Sequence, residues 1–145
     1  MRPASVCWYG KPYDLRMDGE PAARAWIDAW SRSWRSLDAE PLATVYAPDA
    51  VFRSHPYREP QDPLDYARSA IAEEEGEPEV WMGEPIVSGD RAVVEWWASA
   101  IENGKLISLA GTSWLRFDAD GLVVEQHDYF NECSGRVPPW SGWGR

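Results

Sequence analysis

Three polar residues of this chain stand among large apolar neighbours, where their chemistry would matter. Asp128 lies in the run Val123-Val124-Glu125-Gln126-His127-Asp128-Tyr129-Phe130. A carboxylate set among Trp and Phe loses hydration, so its proton affinity rises toward the range useful for general acid/base work. His55 precedes Pro56, and an imidazole titrates near neutral pH, which suits a proton shuttle. Ser113 offers one hydroxyl donor to an oxygen that gains charge. Two of these have plainer alternatives. Asp128 can cap a loop or pair with an arginine, and His55 can bond a backbone carbonyl at a strand end.

The elements that would carry them follow from local signals. Asp18-Gly19-Glu20-Pro21 marks a helix start, with an Asp cap, an acidic first turn and an early Pro. Trp26, Trp30 and Trp34, with Ile27 and Leu37, then give one apolar stripe. Core packing is the simplest role for that stripe, and Trp30 can also reach a pocket wall. Asp38-Ala39-Glu40-Pro41 predicts a short second helix with Leu42, Val45 and Tyr46 buried, ended by Pro48 and Asp49. Ala50 to Ser54 predicts a short strand. Asp62-Pro63 opens a third helix, with Tyr66, Ala67, Ala70 and Ile71 inward. Glu73, Glu74 and Glu75 are expected to form its frayed, solvated end, stopped by Gly76 and Pro78. The segments 80–87, 91–102, 105–117 and 122–130 are rich in β-branched and aromatic residues. Asn103-Gly104 is a strong hairpin signal. The predicted class is α+β: three N-terminal helices on one face of a curved, mainly antiparallel sheet. Residues 1–17 and 132–145 are expected to be irregular segments flanking a domain at 18–131.

Strand alternation decides what the polar groups can reach. On a regular last strand Leu122, Val124, Gln126, Asp128 and Phe130 share one face. Val123, Glu125, His127 and Tyr129 share the other, so Asp128 and His127 cannot enter the same hollow. The first set is the more apolar and is expected inside. Phe52 and Ser54, Tyr66 and Ala70, Trp96 and Ala98, and Ser113 and Leu115 join it from the other elements. Trp30, Phe52, Ser54, Tyr66, Trp96, Ser113, Gln126 and Phe130 are thus the expected ligand-binding residues, with Asp128 and His55 as the catalytic pair. Large apolar walls with few polar groups describe a small-molecule site. The opposite face carries Glu95, Trp97, Thr112, Trp114, Arg116, Glu125, His127 and Tyr129. Its mixture of aromatic and charged residues points to a partner surface.

Composition narrows the rest. The 145 residues fit one domain, and ten are Trp. A formal net charge of −10 argues against nucleic acid and against an anionic membrane surface. No apolar run approaches the roughly 18–20 residues that span a bilayer. Residues 1–20 hold no apolar core of a signal peptide, so a cytoplasmic protein is expected. Cys7 and Cys133 form no metal-binding pattern, and they would meet only if the two ends of the chain lie side by side. No metal or cofactor is expected.

Three runs, Tyr46 to Pro56 (YAPDAVFRSHP), Trp114 to Gly121 (WLRFDADG) and Val123 to Asn131 (VVEQHDYFN), together with the element order, resemble the SnoaL-like members of the nuclear transport factor 2-like superfamily. The resemblance covers residues 21–131. It implies a cone whose sheet curls round the helices and whose mouth is the pocket, and a homodimer through the outer sheet face. Epoxide hydrolases of the superfamily carry an Asp at Asp128, and the steroid isomerases carry their base at His55 and an acidic oxyanion donor at Ser113. The chain also departs from both patterns. The positions of the hydrolases' Arg and second Asp fall on Trp96 and Ala98, and the isomerases' helix-1 Tyr falls on Trp30. These changes argue against epoxide hydrolysis and steroid isomerisation. Three readings remain: a cofactor-free isomerase, cyclase or dehydratase acting on an apolar polycyclic or aromatic molecule, a non-catalytic binder of such a molecule, and a dimeric accessory domain.

Overall fold

The computed structural model describes residues 18–144, together with the backbone of residues 7–8 and 11–12. Those four residues form two short paired strands, β1 (Cys7–Trp8) and β2 (Lys11–Pro12). The rest of the expected irregular N-terminal segment, and the Cys7 side chain, lie outside the described residues. Cys133 is an exposed free thiol.

Helix α1 (Glu20–Ser36) follows Gly19, and the Asp18 carboxylate accepts the Glu20 amide at 3.0 Å. Its buried stripe is Ala22, Ala23, Trp26, Ala29 and Ser33. A four-residue spacing advances about 40° round a helix at each step. The tryptophans therefore wind away from the core: Trp26 is buried, while Trp30 and Trp34 are half-buried at the edge of the stripe.

The second predicted helix is only a 3-10 turn (Glu40–Thr44), and β3 (Tyr46–Arg53) starts four residues before the predicted strand. Thr44, Val45 and Tyr46 favour extended backbone and Pro48 cannot continue a helix. Pairing with the last strand then recruits the segment, through the Val123 amide donating to the Val45 carbonyl at 2.8 Å. Helix α2 (Pro63–Ala72) is capped by Asp62, whose side chain accepts the Leu64 and Asp65 amides at 3.0 Å each.

The predicted frayed end of that helix is instead the start of a strand, β4 (Glu74–Met82). This strand lies at the sheet edge, and its register shifts between Glu75 and Glu79. An irregular edge strand accommodates both Gly76, at φ 73°, and Pro78. The single strand predicted at 80–87 is broken after Met82, and β5 (Ile86–Ser88) resumes the pairing. Strands β6 (Arg91–Glu102) and β7 (Lys105–Phe117) form a hairpin at Asn103-Gly104, both at positive φ. Strand β8 (Val123–Ser134) pairs antiparallel with β7 and parallel with β3. The sheet order is β3-β8-β7-β6-β4, with β5 beside β6. The class is α+β as predicted, with two α-helices and a 3-10 turn among the described residues in place of three helices. No helix among the described residues is long and apolar enough to cross a membrane.

Two details of β8 differ from regular alternation. Arg116 pairs with Glu125 but Phe117 pairs with Val123, so Val124 bulges out of the ladder. Val123 is buried in place of Leu122 and Val124, while Gln126 and Asp128 keep the inward face. The strand also runs to Ser134, past the predicted start of the tail at 132. Beyond it the chain folds back over the outer face of the sheet. Ser108 Oγ donates to the Gly135 carbonyl at 2.6 Å, and the Trp97 ring meets Trp140 and Trp143 with centroids at 6.0 and 6.4 Å. Part of the predicted partner surface is thus covered by the chain itself, whereas Trp114 and Tyr129 remain about half exposed.

Gly111 stands in register with Trp96 on one side and Phe130 on the other. A Cβ at Gly111 would lie 2.5 Å from Phe130 Cβ and 2.8 Å from Phe130 Cα. Gly111→Ala is therefore expected to lower stability by about 1–3 kcal/mol through overpacking. The check is a lower urea midpoint at unchanged slope. An unchanged midpoint would mean that the β7–β8 pairing yields at no cost.

Candidate active site

Between α1, α2 and the inner face of the sheet lies a cavity of about 280 Å³. Trp26, Trp30 and Trp34 line it from α1, and Tyr66, Ala67, Ala70 and Ile71 from α2. Trp96, Leu109, Ser113, Gln126, Asp128 and Phe130 line it from the sheet.

At its floor the polar groups form one connected network. Trp96 Nε1 donates to Ser113 Oγ at 3.0 Å, and Ser113 Oγ donates to Asp128 Oδ1 at 2.6 Å. From the other side Trp30 and Trp26 donate to the Tyr46 hydroxyl at 2.7 and 3.2 Å. Tyr46 donates in turn to Gln126 Oε1, which also accepts Trp26 Nε1 at 3.0 Å. Gln126 Nε2 donates to Asp128 Oδ1 at 2.9 Å. An indole N–H is a donor only. Indoles stand at both ends of the network, so the direction of each bond is forced and every chain of donors ends on Oδ1. Among the described residues nothing donates to Oδ2. When Asp128 is protonated, its proton therefore belongs on Oδ2.

Burial pushes the Asp128 carboxyl up from 3.8 to about 6, against the opposing hydrogen bonds from Ser113 and Gln126. Burial, helped by the Asp128 charge, lifts the Tyr66 phenol to about 12, so Tyr66 keeps its proton at neutral pH. Burial also holds the Tyr46 hydroxyl in its protonated form.

Other predicted residues lie off the wall. Phe52 is fully buried behind it and packs tilted against Tyr66 at 4.7 Å between centroids. Ser54 is buried and accepts Arg58 Nη1 at 3.1 Å. His55 does not line the cavity: its Nδ1 accepts the Tyr57 amide at 3.3 Å and its ring meets Phe130 edge-on at 6.5 Å. Strand β3 ends at Arg53, so alternation no longer governs Ser54 and His55. His127 sits on the outer face, where Nε2 meets Glu125 Oε1 at 3.0 Å.

Sequence reasoning missed Arg58, Met82 and the carboxylates Glu73, Glu74, Glu102 and Glu132, all of which line the cavity. Glu74 was expected in solvent. Trp34 Nε1 instead donates to both of its oxygens, at 3.0 and 2.8 Å. Burial and the neighbouring Glu102 push Glu74 up to about 7, against that bond. The four-residue reach from Trp30 to Trp34, one turn along the tryptophan row, was the available signal.

Residues 23–126 match the SnoaL-like domain family, and the chain belongs to it. Solved structures share the fold at low identity. An epoxide hydrolase of the LEH-like type from Mycobacterium tuberculosis is 17% identical with a TM-score of 0.61, over 76% of this chain and 82% of that one. AclR, a putative hydroxylase from Streptomyces galilaeus, is 18% identical with a TM-score of 0.64, over 79% and 77%. SalBIII, an epoxide hydrolase/cyclase-like enzyme of pyran ring formation in salinomycin, is 10% identical with a TM-score of 0.66, over 79% and 93%. No curated protein matches the sequence.

The raised carboxyl has a consequence for stability. The fold favours protonated Asp128, so this contribution is full below about pH 4 and is lost as pH rises through about 6. Asp128→Asn keeps the shape and the acceptor oxygen but cannot ionise. Relative to this variant, the wild type should lose about 3 kcal/mol between roughly pH 4 and pH 7. Urea titrations of both proteins across that range check it, and parallel pH curves would exclude the shift.

Proposed function

We propose that this chain is a cofactor-free enzyme of proton transfer, acting on an apolar aromatic or polycyclic small molecule in an isomerisation, cyclisation or dehydration. The observation that carries the reading is the state of Asp128. Asp128 lines the cavity; one oxygen accepts from Ser113 and Gln126, and among the described residues nothing donates to the other. A carboxylate of raised proton affinity in that position is an effective base near neutral pH. In the proposed step Asp128 Oδ2 takes a proton from a carbon next to a substrate carbonyl. The electron pair moves to the carbonyl oxygen, and the proton returns to another atom of the same molecule. Tyr66, which stays protonated, and Arg58 are the wall residues able to donate to that oxygen.

A protein of the same fold serves pyran ring formation, itself a cyclisation, which is compatible with this class. Trp96 stands where a polarising arginine would be needed for epoxide opening, so that reaction is not proposed. The competing reading, a binder without chemistry, keeps the cavity and gives Asp128 no turnover role.

Hydrogen–deuterium exchange of 2-tetralone, followed by NMR in heavy water, separates the two. The wild type should accelerate exchange, with a rate that climbs as pH passes through about 6. Asp128→Asn should be slower by roughly 100-fold or more. Ser113→Ala should move the climb to higher pH, because it removes a bond that holds the carboxylate ionised. Exchange at the buffer rate, or equal rates in wild type and Asp128→Asn, would sink the proposal.

A further inference from the structure

We infer that the natural ligand is a cation: an aromatic or polycyclic molecule bearing an ammonium group, which sits at the cavity mouth among Trp34, Glu74, Glu102 and Glu132 while the reactive end meets Asp128. The inference rests on the small-molecule reading above and adds the charge and orientation of the ligand.

The carboxylates are gathered by strand register. Glu74, the first residue of β4, pairs with Glu102, the last residue of β6. Glu132 follows Asp128 and Phe130 along β8, opposite Leu109, Gly111 and Ser113 on β7. Four residues of strand separate Asp128 from Glu132 by about 13 Å. The cavity thus has one carboxylate at its floor and a group of them at its mouth, with Trp96 and Phe130 between.

These mouth carboxylates differ from others on the molecule. Glu79 pairs with Arg136, Glu84 with Arg24 and Glu125 with Arg116. Among the described residues none of Glu74, Glu102 and Glu132 is paired with a base. Burial first, and then the neighbouring carboxylates, push up the proton affinity of both Glu74 and Glu102: Glu102 acts on Glu74, and Glu73 and Glu132 act on Glu102. An ammonium group would relieve that repulsion.

Two further observations point to a ligand of this kind. Asp128, more than nine-tenths buried, lines the same cavity, and among the described residues its Oδ2 has no hydrogen-bond donor. The walls are aromatic, with Trp34 edge-on to Trp96 at 5.6 Å and Trp96 tilted against Phe130 at 6.1 Å between centroids, and aromatic rings attract cations. A metal ion is a poorer fit, because no three His, Cys, Asp or Glu among the described residues come close enough to hold one.

The test is calorimetric titration of the full chain at neutral pH with three probes of one shape: 2-(aminomethyl)naphthalene, 2-naphthylmethanol and 2-naphthoate. The ammonium probe should bind about tenfold or more tighter than the alcohol, weaken with added salt, and outbind the carboxylate by a wider margin. In the double variant Glu74→Gln, Glu102→Gln the ammonium preference should vanish while the alcohol affinity stays as in the wild type, which also reports that the cavity is folded. Equal binding of amine and alcohol by the wild type would overturn the cation inference and leave the apolar site standing. Undiminished preference in the double variant would overturn it as well. Binding of none of the probes would remove both readings.

Discussion

The interior of this protein is organised by a hydrogen-bond network whose outer members can only donate. Trp26, Trp30 and Trp96 each present an indole N–H to a hydroxyl or amide oxygen, and each acceptor passes its own proton inward. Tyr46, Gln126 and Ser113 have no second arrangement that satisfies all partners. A buried donor left without an acceptor costs on the order of 1–3 kcal/mol. The fold therefore holds six side chains from α1, β3, β6, β7 and β8 in one geometry, and all of them converge on a single oxygen of Asp128. The unusual number of tryptophans has its explanation here. The ring supplies the apolar wall, and the N–H supplies a donor of fixed direction.

The same network makes Asp128 asymmetric. Its donors lower the proton affinity of the carboxylate, but desolvation raises it more, and the balance lies near neutrality. Electrostatic character then changes along the cavity. The floor is a buried polar network, the middle is aromatic, and the mouth is acidic. Gly111 lets β8 approach closely there, because a Cβ at that position would clash with the Tyr129 carbonyl and with Phe130. Phe52 has a related role one layer back, where it fixes the ring of Tyr66.

The outer face has a separate logic. The last residues of the chain return across β4, β6 and β7, with Arg136 bonded to Glu79 and set over the Trp81 ring at 5.9 Å. Trp97 is covered by Trp140 and Trp143, whereas Trp114 and Tyr129 on β7 and β8 are not. The aromatic residues of that face are thus divided between the chain's own tail and solvent.

Much of this was legible in local sequence. The Asp62 cap, the Asn103-Gly104 turn, the tryptophan row and the alternation that separates Asp128 from His127 depend on neighbours a few residues away, and short-range sterics and hydrogen bonding determine them. The α+β class follows from the order of those elements. What sequence misplaced depends on partners far along the chain. Tyr46 joined a strand because β8 was there to pair with it, and Val123 turned inward because the β7–β8 ladder admits a bulge. Glu74 left solvent because it starts an edge strand beside Glu102 and below Trp34. Ser54 is buried and His55 bonds its own turn, but neither reaches the cavity wall, because the strand ends before them. Side-chain type and spacing thus determined which groups could do chemistry. Only the closing of the sheet round α1 decided which oxygen of Asp128 is free, and which carboxylates share its cavity.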